Sequence, residues 1–333
     1  MKRAFLLPAL AALALISGSG PGLPRDFDAP LAASPITAFS VNSTETRFGP
    51  LTFVGGFSLT SSQSHFGAVS AFRFIEPGGR FLAVTDNGFW LSGTVTRDKA
   101  GVPTGIRDGH MSEIEGTDGR PLGNKYEADA ESLTVRGNVA TVGFERFHRM
   151  VDYPLSADGQ PGRAGRNLDI VVPVQELRAN RGFECLAYSP PDSPLAGVRV
   201  AVTEKSLDRK GNIFGAILEG PKRGIFTVAK SGPFDITDCA FLPGGDLVVL
   251  ERRYSIATGV GMQLRRIAGS DIAPGRLVDG KVLFSGGMDY QIDNMEGMDI
   301  WRAADGSLRL SMVSDDNKSL LQRSLYLEFR IEE

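Results

Sequence analysis

Residues 238–251, DCAFLPGGDLVVLE, read as a hairpin: a short apolar run, a Pro-Gly-Gly-Asp turn, and a second apolar run that ends on a carboxylate. Four other stretches follow the same plan: SAFRFIEPGGRFLAVTD at 70–86, ESLTVRGNVATVGFE at 131–145, ECLAYSPPDSPLAGVRVAVTE at 184–204 and EGMDIWRAADGSLRLSMVSD at 296–315. The opening residues Ser70, Glu131, Glu184, Asp238 and Glu296 recur every 53 to 61 positions. The closing residues are Asp86, Glu145, Glu204, Glu251 and Asp315. The middle of every unit falls in turn-forming residues, so opener and closer become cross-strand neighbours at the open end of the hairpin.

Working outward, each interval holds more strand-like runs, among them IFGAIL, GIFTVA, MQLRRI and KVLFSG, with Gly/Pro turns and no long helical pattern. Four short strands per period predict a four-stranded antiparallel sheet repeated in tandem. The closed form of such a repeat is an all-β propeller, which leaves only short sheet edges. Five blades are expected, with six as the alternative count. A β-sandwich is the competing architecture, but it does not require a hairpin of fixed polarity at a fixed period. The runs LTFVGGFSLT and SLYLEFRI lie outside the five units and are expected to complete one blade from the two ends of the chain.

The composition is that of a folded protein: 333 residues, 42% hydrophobic, 23% charged, with a net charge of −3. That balance offers no basic field for nucleic acid. Lys2 and Arg3 precede the apolar run AFLLPALAALALI and a small-residue stretch, the layout of an export signal. Residues 1–24 are therefore expected to be a signal and linker, and residues 35–333 the propeller, placed in the periplasm or outside the cell. No other stretch is long and apolar enough for a permanent membrane span, and a monomer is expected. His65, His110 and His148 are far apart in sequence and suggest no zinc site. Cys185 and Cys239 each follow shortly after an opener, and equivalent propeller positions are usually too distant to bridge, so buried thiols are expected.

A ring of openers and closers at one mouth would bring many carboxylates together. Such a group must bind protons, pair with cations or hold a metal. One reading is a salt-bridge ring that fixes blade packing. The other is a calcium-type site, because a hard cation takes six to eight oxygen ligands. The candidate metal ligands are Glu131, Glu145, Glu184, Glu204, Asp238, Glu251, Glu296 and Asp315, with Glu131, Glu184, Glu204 and Glu296 as candidate catalytic groups. Arg146, Lys205 and Arg252 follow closing acids and are candidates to grip an anionic substrate.

The units GAVSAFRFIEPGGRFLAVTDNG, YEADAESLTVRGNVATVGFERF, FECLAYSP with AVTEKS, and NMEGMDIW with SMVSDDN resemble exported bacterial proteins called the esterase-like activity of phytase family. The resemblance runs from about Thr37 to Arg330. It implies a phytase-like propeller with a phosphoester-hydrolysing role resting on the acids named above, with Asp238 standing for Glu in the fourth unit. Ser70 is uncharged and interrupts the ring of acids. The expectation is a metal-assisted phosphoesterase-like hydrolase acting on a small anionic or phosphorylated substrate. The alternatives are a non-enzymatic binding propeller of the cell envelope and a calcium-dependent lactone or carboxylester hydrolase.

Overall fold

The structure, a computed structural model, describes residues 24–179 and 181–332. The expected export signal over residues 1–24 lies outside them apart from Pro24. Five antiparallel sheets form a ring, a five-blade β-propeller. The innermost strands, in blade order, are Val69–Phe74, Ala130–Arg136, Phe183–Tyr188, Asp235–Phe241 and Asn294–Arg302. Each touches the next, and the fifth touches the first, which closes the circle.

Blade 5 is built from both ends of the chain. Asn294–Arg302, Leu308–Asp315 and Ser324–Ile331 pair in sequence, and Leu51–Ser61 then adds along Ser324–Ile331, followed by Leu31–Ile36. The strand Asp26–Asp28 forms the outer edge of blade 1, so the folded unit begins before the boundary expected at residue 35. Blade 3 carries one parallel addition, Leu277–Val278 against Gly224–Val228.

Alternation along each strand sends apolar side chains to both blade faces, because each blade is covered on both sides by its neighbours. The result is five apolar clusters, one at each blade interface. Leu250, Met262, Met298 and Phe329 belong to the cluster between blades 4 and 5. Val202, Ile236 and Val249 lie between blades 3 and 4, and Leu82, Leu133 and Val142 between blades 1 and 2.

One feature of the inner hairpins sets up the site. In all five, the register slips by one residue near the open end. The extra residue is Ser70, Glu131, Glu184, Thr237 or Glu296. A bulge of this kind turns one side chain out of the strand's alternation.

Cys185 and Cys239 form a disulfide across 54 residues, with Cα atoms 5.0 Å apart. The expectation of free thiols fails because the two cysteines do not occupy matching positions. Cys185 is one residue past its bulge and Cys239 two past its own, and the inner strands of blades 3 and 4 are direct neighbours. By loop-closure entropy the bridge contributes roughly 4 kcal/mol.

Candidate active site

Four of the five bulged residues, all but Thr237, line one cavity of about 190 Å³ at a mouth of the ring, together with a residue near the end of each hairpin's second strand. Blade 1 gives Ser70 and Asp86, blade 2 Glu131 and Glu145, blade 3 Glu184 and Glu204, and blade 5 Glu296 and Asp315. Blade 4 gives Arg252 to the lining. Its bulged residue, Thr237, donates its hydroxyl to the carbonyl of Met295 at 2.9 Å. All four candidate catalytic acids are brought together here, as are six of the eight candidate metal ligands.

Asp238 and Glu251 are not. The sequence reading placed the fourth unit one residue out of register, and in a strand a one-residue shift turns a side chain to the opposite face. Asp238 is fully buried in a two-pronged pair with Arg73. Glu251 is fully buried against Arg265, at 2.6 Å, and Gln263. The positions equivalent to the other blades' acids are Thr237 and Arg252, so blade 4 presents a cation where the others present carboxylates.

Of the three candidate anion-gripping residues, Arg252 lines the cavity. Its Nε lies 2.8 Å from Glu296 Oε1, and its Nη2 lies 3.6 Å from Glu204 Oε1. Arg146 is held by Asp129 at 2.5 Å, and Lys205 is bonded to Asp235. Lys205 also stands 3.6 Å from Glu204 Oε1. Lys125, which sequence reading passed over, pairs with Asp86 at 2.7 Å.

Arg73 was also missed. It is buried on the inner strand of blade 1 and donates to the carbonyls of Leu186, Cys239 and Met298 as well as to Asp238. It therefore ties blades 3, 4 and 5 to blade 1 and plugs the ring axis. A lone charge in the apolar run SAFRFI is the signal that could have found it.

The electrostatics follow from crowding acids in a space shielded from water. Burial, followed by repulsion from neighbouring acids, pushes Glu131 and Glu184 well above the ordinary carboxylate range. Burial raises Glu145 to about 7, although the Gly182 N–H donates to its Oε1 at 2.8 Å and opposes the shift. Burial likewise raises Glu296 to about 8 against the pull of Arg252, and Asp315 to about 7 against the Asn317 N–H. Glu204 is raised by burial and restrained by Lys205 and Arg252. The carboxylates in turn, Glu296 foremost, raise Arg252 and keep it charged.

Among the described residues two sets of acids are close enough to share an ion. Oxygens of Asp129, Glu131 and Glu145 lie within 4.8 Å of one another, as do oxygens of Glu145, Glu184 and Glu204. Asp129 is almost wholly buried, and its Oδ1 accepts no hydrogen bond, with only the Lys125 ammonium facing it at 3.7 Å. An all-oxygen donor set that includes a buried oxygen accepting no hydrogen bond fits a hard divalent cation.

A pH dependence follows with a definite sign. Carboxyls whose pKa is raised on folding stabilise the protein fully below their unfolded value, near 4.5, and that stability is lost as pH rises through about 7 to 8. In a chelating buffer the melting temperature should fall by roughly 5–10 °C between pH 5 and pH 8.5. Calorimetry across that range checks it. A flat profile would mean that the acids are not crowded as described.

A family model described as Phytase-like, esterase-like activity of phytase, matches residues 64–318. No functionally curated protein matches the chain in a sequence comparison. Among solved structures, it is similar to the PQQ-bound form of an aldose sugar dehydrogenase from Streptomyces coelicolor, at 12% identity, covering 90% of this chain and 100% of that one, with a TM-score of 0.43. It is also similar to a putative 6-phosphogluconolactonase from Bacteroides fragilis, at 10% identity, covering 88% of this chain and 93% of that one, with a TM-score of 0.41.

Proposed function

Since the chain belongs to the esterase-like activity of phytase family, we propose that it is a metal-assisted phosphoesterase-like hydrolase working at the acidic mouth of the propeller. The observation that carries this reading is the asymmetry of the cavity. Acids close enough to share an ion lie on blades 2 and 3, and the cation Arg252 faces them from blade 4.

Asp129, Glu131, Glu145, Glu184 and Glu204 are the residues that would hold a divalent cation, with calcium the best match to an all-carboxylate set. When bound, such an ion supplies Lewis-acid polarisation of the ester and lowers the pKa of water. Arg252 orients the anionic oxygens of the substrate and offsets charge that develops on them. Glu296, raised to about 8 by burial against the pull of Arg252, is the candidate general acid for the leaving group. Lys205 and Arg146 act one step back, by fixing Asp235 and Asp129.

A carboxylester or lactone substrate is the second reading. It is favoured by a single observation: seven carboxylates and one arginine line the cavity, which leaves little cationic grip for phosphate. The Cys185–Cys239 disulfide supports an oxidising compartment, and with the export-like residues 1–24 it favours a periplasmic or secreted protein. Among the described residues no helix is long and apolar enough to cross a membrane.

Calcium titration followed by melting, together with turnover of an aryl phosphate and an aryl ester, tests the proposal. Stabilisation by several degrees and calcium-dependent release of the phenol are expected. Folded protein that gains no stability from calcium and hydrolyses neither substrate would overturn it.

A further inference from the structure

Building on that reading, we propose that the substrate is an amphiphilic ester with a single polar head, and that its apolar part lies in a cleft at the mouth between blades 4 and 5. The acid cavity, at about 190 Å³, has room for an ion and one oxyanion group. Sites that enclose a whole small organic ligand run to about 300–1,000 Å³. The rest of the substrate must lie outside the acid cavity.

A cleft of about 670 Å³ adjoins it and shares Arg252 and Asn317 in its wall. The 580 Å³ cleft beside His110 shares no wall residue with the acid cavity. Tyr254, Val260, Met288, Ile292 and Leu321 form the apolar part of the adjoining cleft, and polar side chains, among them Asp293, Asn294 and Gln322, line the rest. Three of these are solvent-exposed large apolar side chains, with Leu321 94%, Tyr254 70% and Met288 61% exposed. Leaving so much apolar surface in water is costly unless something covers it during function. Continuity with the acid cavity makes the apolar half of the ester the occupant.

Charge also limits what the head can be. The cleft adds Arg323, which is engaged with Asp293 and Gln291, so the combined site offers few cations against many acids. A substrate carrying several phosphates would meet repulsion here, whereas one head group over Arg252 does not.

The test uses calcium-loaded protein and three probes: methylphosphonate, 1-naphthylphosphonate and 1-naphthol. Binding is read by calorimetry, and by fluorescence for the naphthyl compounds. Naphthylphosphonate should bind at least about tenfold more tightly than methylphosphonate. The double variant Met288→Glu, Leu321→Glu should erase that gain while melting as the parent does, because both side chains are exposed. Tyr254→Ser gives an independent check should the double variant melt early.

Naphthol reports on the cleft alone. If it binds the parent and not the variant while methylphosphonate fails to bind, the cleft assignment stands and the phosphoester reading falls. Equal affinity for the two phosphonates, or naphthol binding that the variants leave unchanged, overturns the inference.

Discussion

Arg73→Met should destabilise the protein by about 3–5 kcal/mol, because it leaves Asp238 as an uncompensated acid in a fully buried site. Asp238 would keep only the backbone N–H groups of Cys239 and Met298. It would have to take up a proton, and its pKa is already raised by burial even with Arg73 present. The guanidinium also satisfies carbonyls from blades 3, 4 and 5, which a methionine cannot do. Urea denaturation measures the loss. Removing both charges, as Arg73→Met with Asp238→Asn, should recover part of it, since replacing both members of a buried pair is far less damaging than orphaning one. A single variant within about 1 kcal/mol of the parent would show that the axial pair does not anchor the ring.

Glu145→Gln should abolish stabilisation by calcium and lower hydrolysis at least about 100-fold, because Glu145 belongs to both sets of acids close enough to share an ion. The amide keeps an oxygen to accept the Gly182 N–H, so the local fold has no reason to change. It also removes one repelling charge. In chelator at pH 8 the variant should therefore melt at or above the parent, and without calcium the two should differ least near pH 5. A purely structural role predicts lower stability at both pH values. Melting curves with and without calcium separate the two outcomes, and a calcium response that survives the substitution would remove Glu145 from the centre.

The five inner hairpins were legible because a turn and two apolar runs leave a strong mark on a sequence. Their repetition fixed the architecture. What counting toward a midpoint could not resolve was a single residue, and each hairpin carries a bulge of that size. In blade 4 the neighbouring Asp238 and Glu251 are acids that mimic the pattern, so they were read in place of Thr237 and Arg252. The end of the first strand held the correction: Phe74, Tyr188 and Phe241 each lie four residues past Ser70, Glu184 and Thr237. Aligning those aromatics would have moved the fourth unit into register and revealed the cation among the acids. The same slip misjudged the cysteines, which can bridge because they are offset. Arg73 and the apolar cleft left weaker traces. A lone arginine in a strand and scattered loop hydrophobics acquire meaning only once distant blades are brought side by side.

Blade 5, assembled from the two ends, also governs when the molecule can become whole. During synthesis the segment Leu51–Ser61 is made long before its partner Ser324–Ile331. The ring cannot shut until Ser324–Ile331 has been made, and pairing over so great a sequence separation is slow. Until that strand arrives the circle stays open, and the edge of Leu51–Ser61 that it will cover is left unpaired, a temporary template for pairing with another chain.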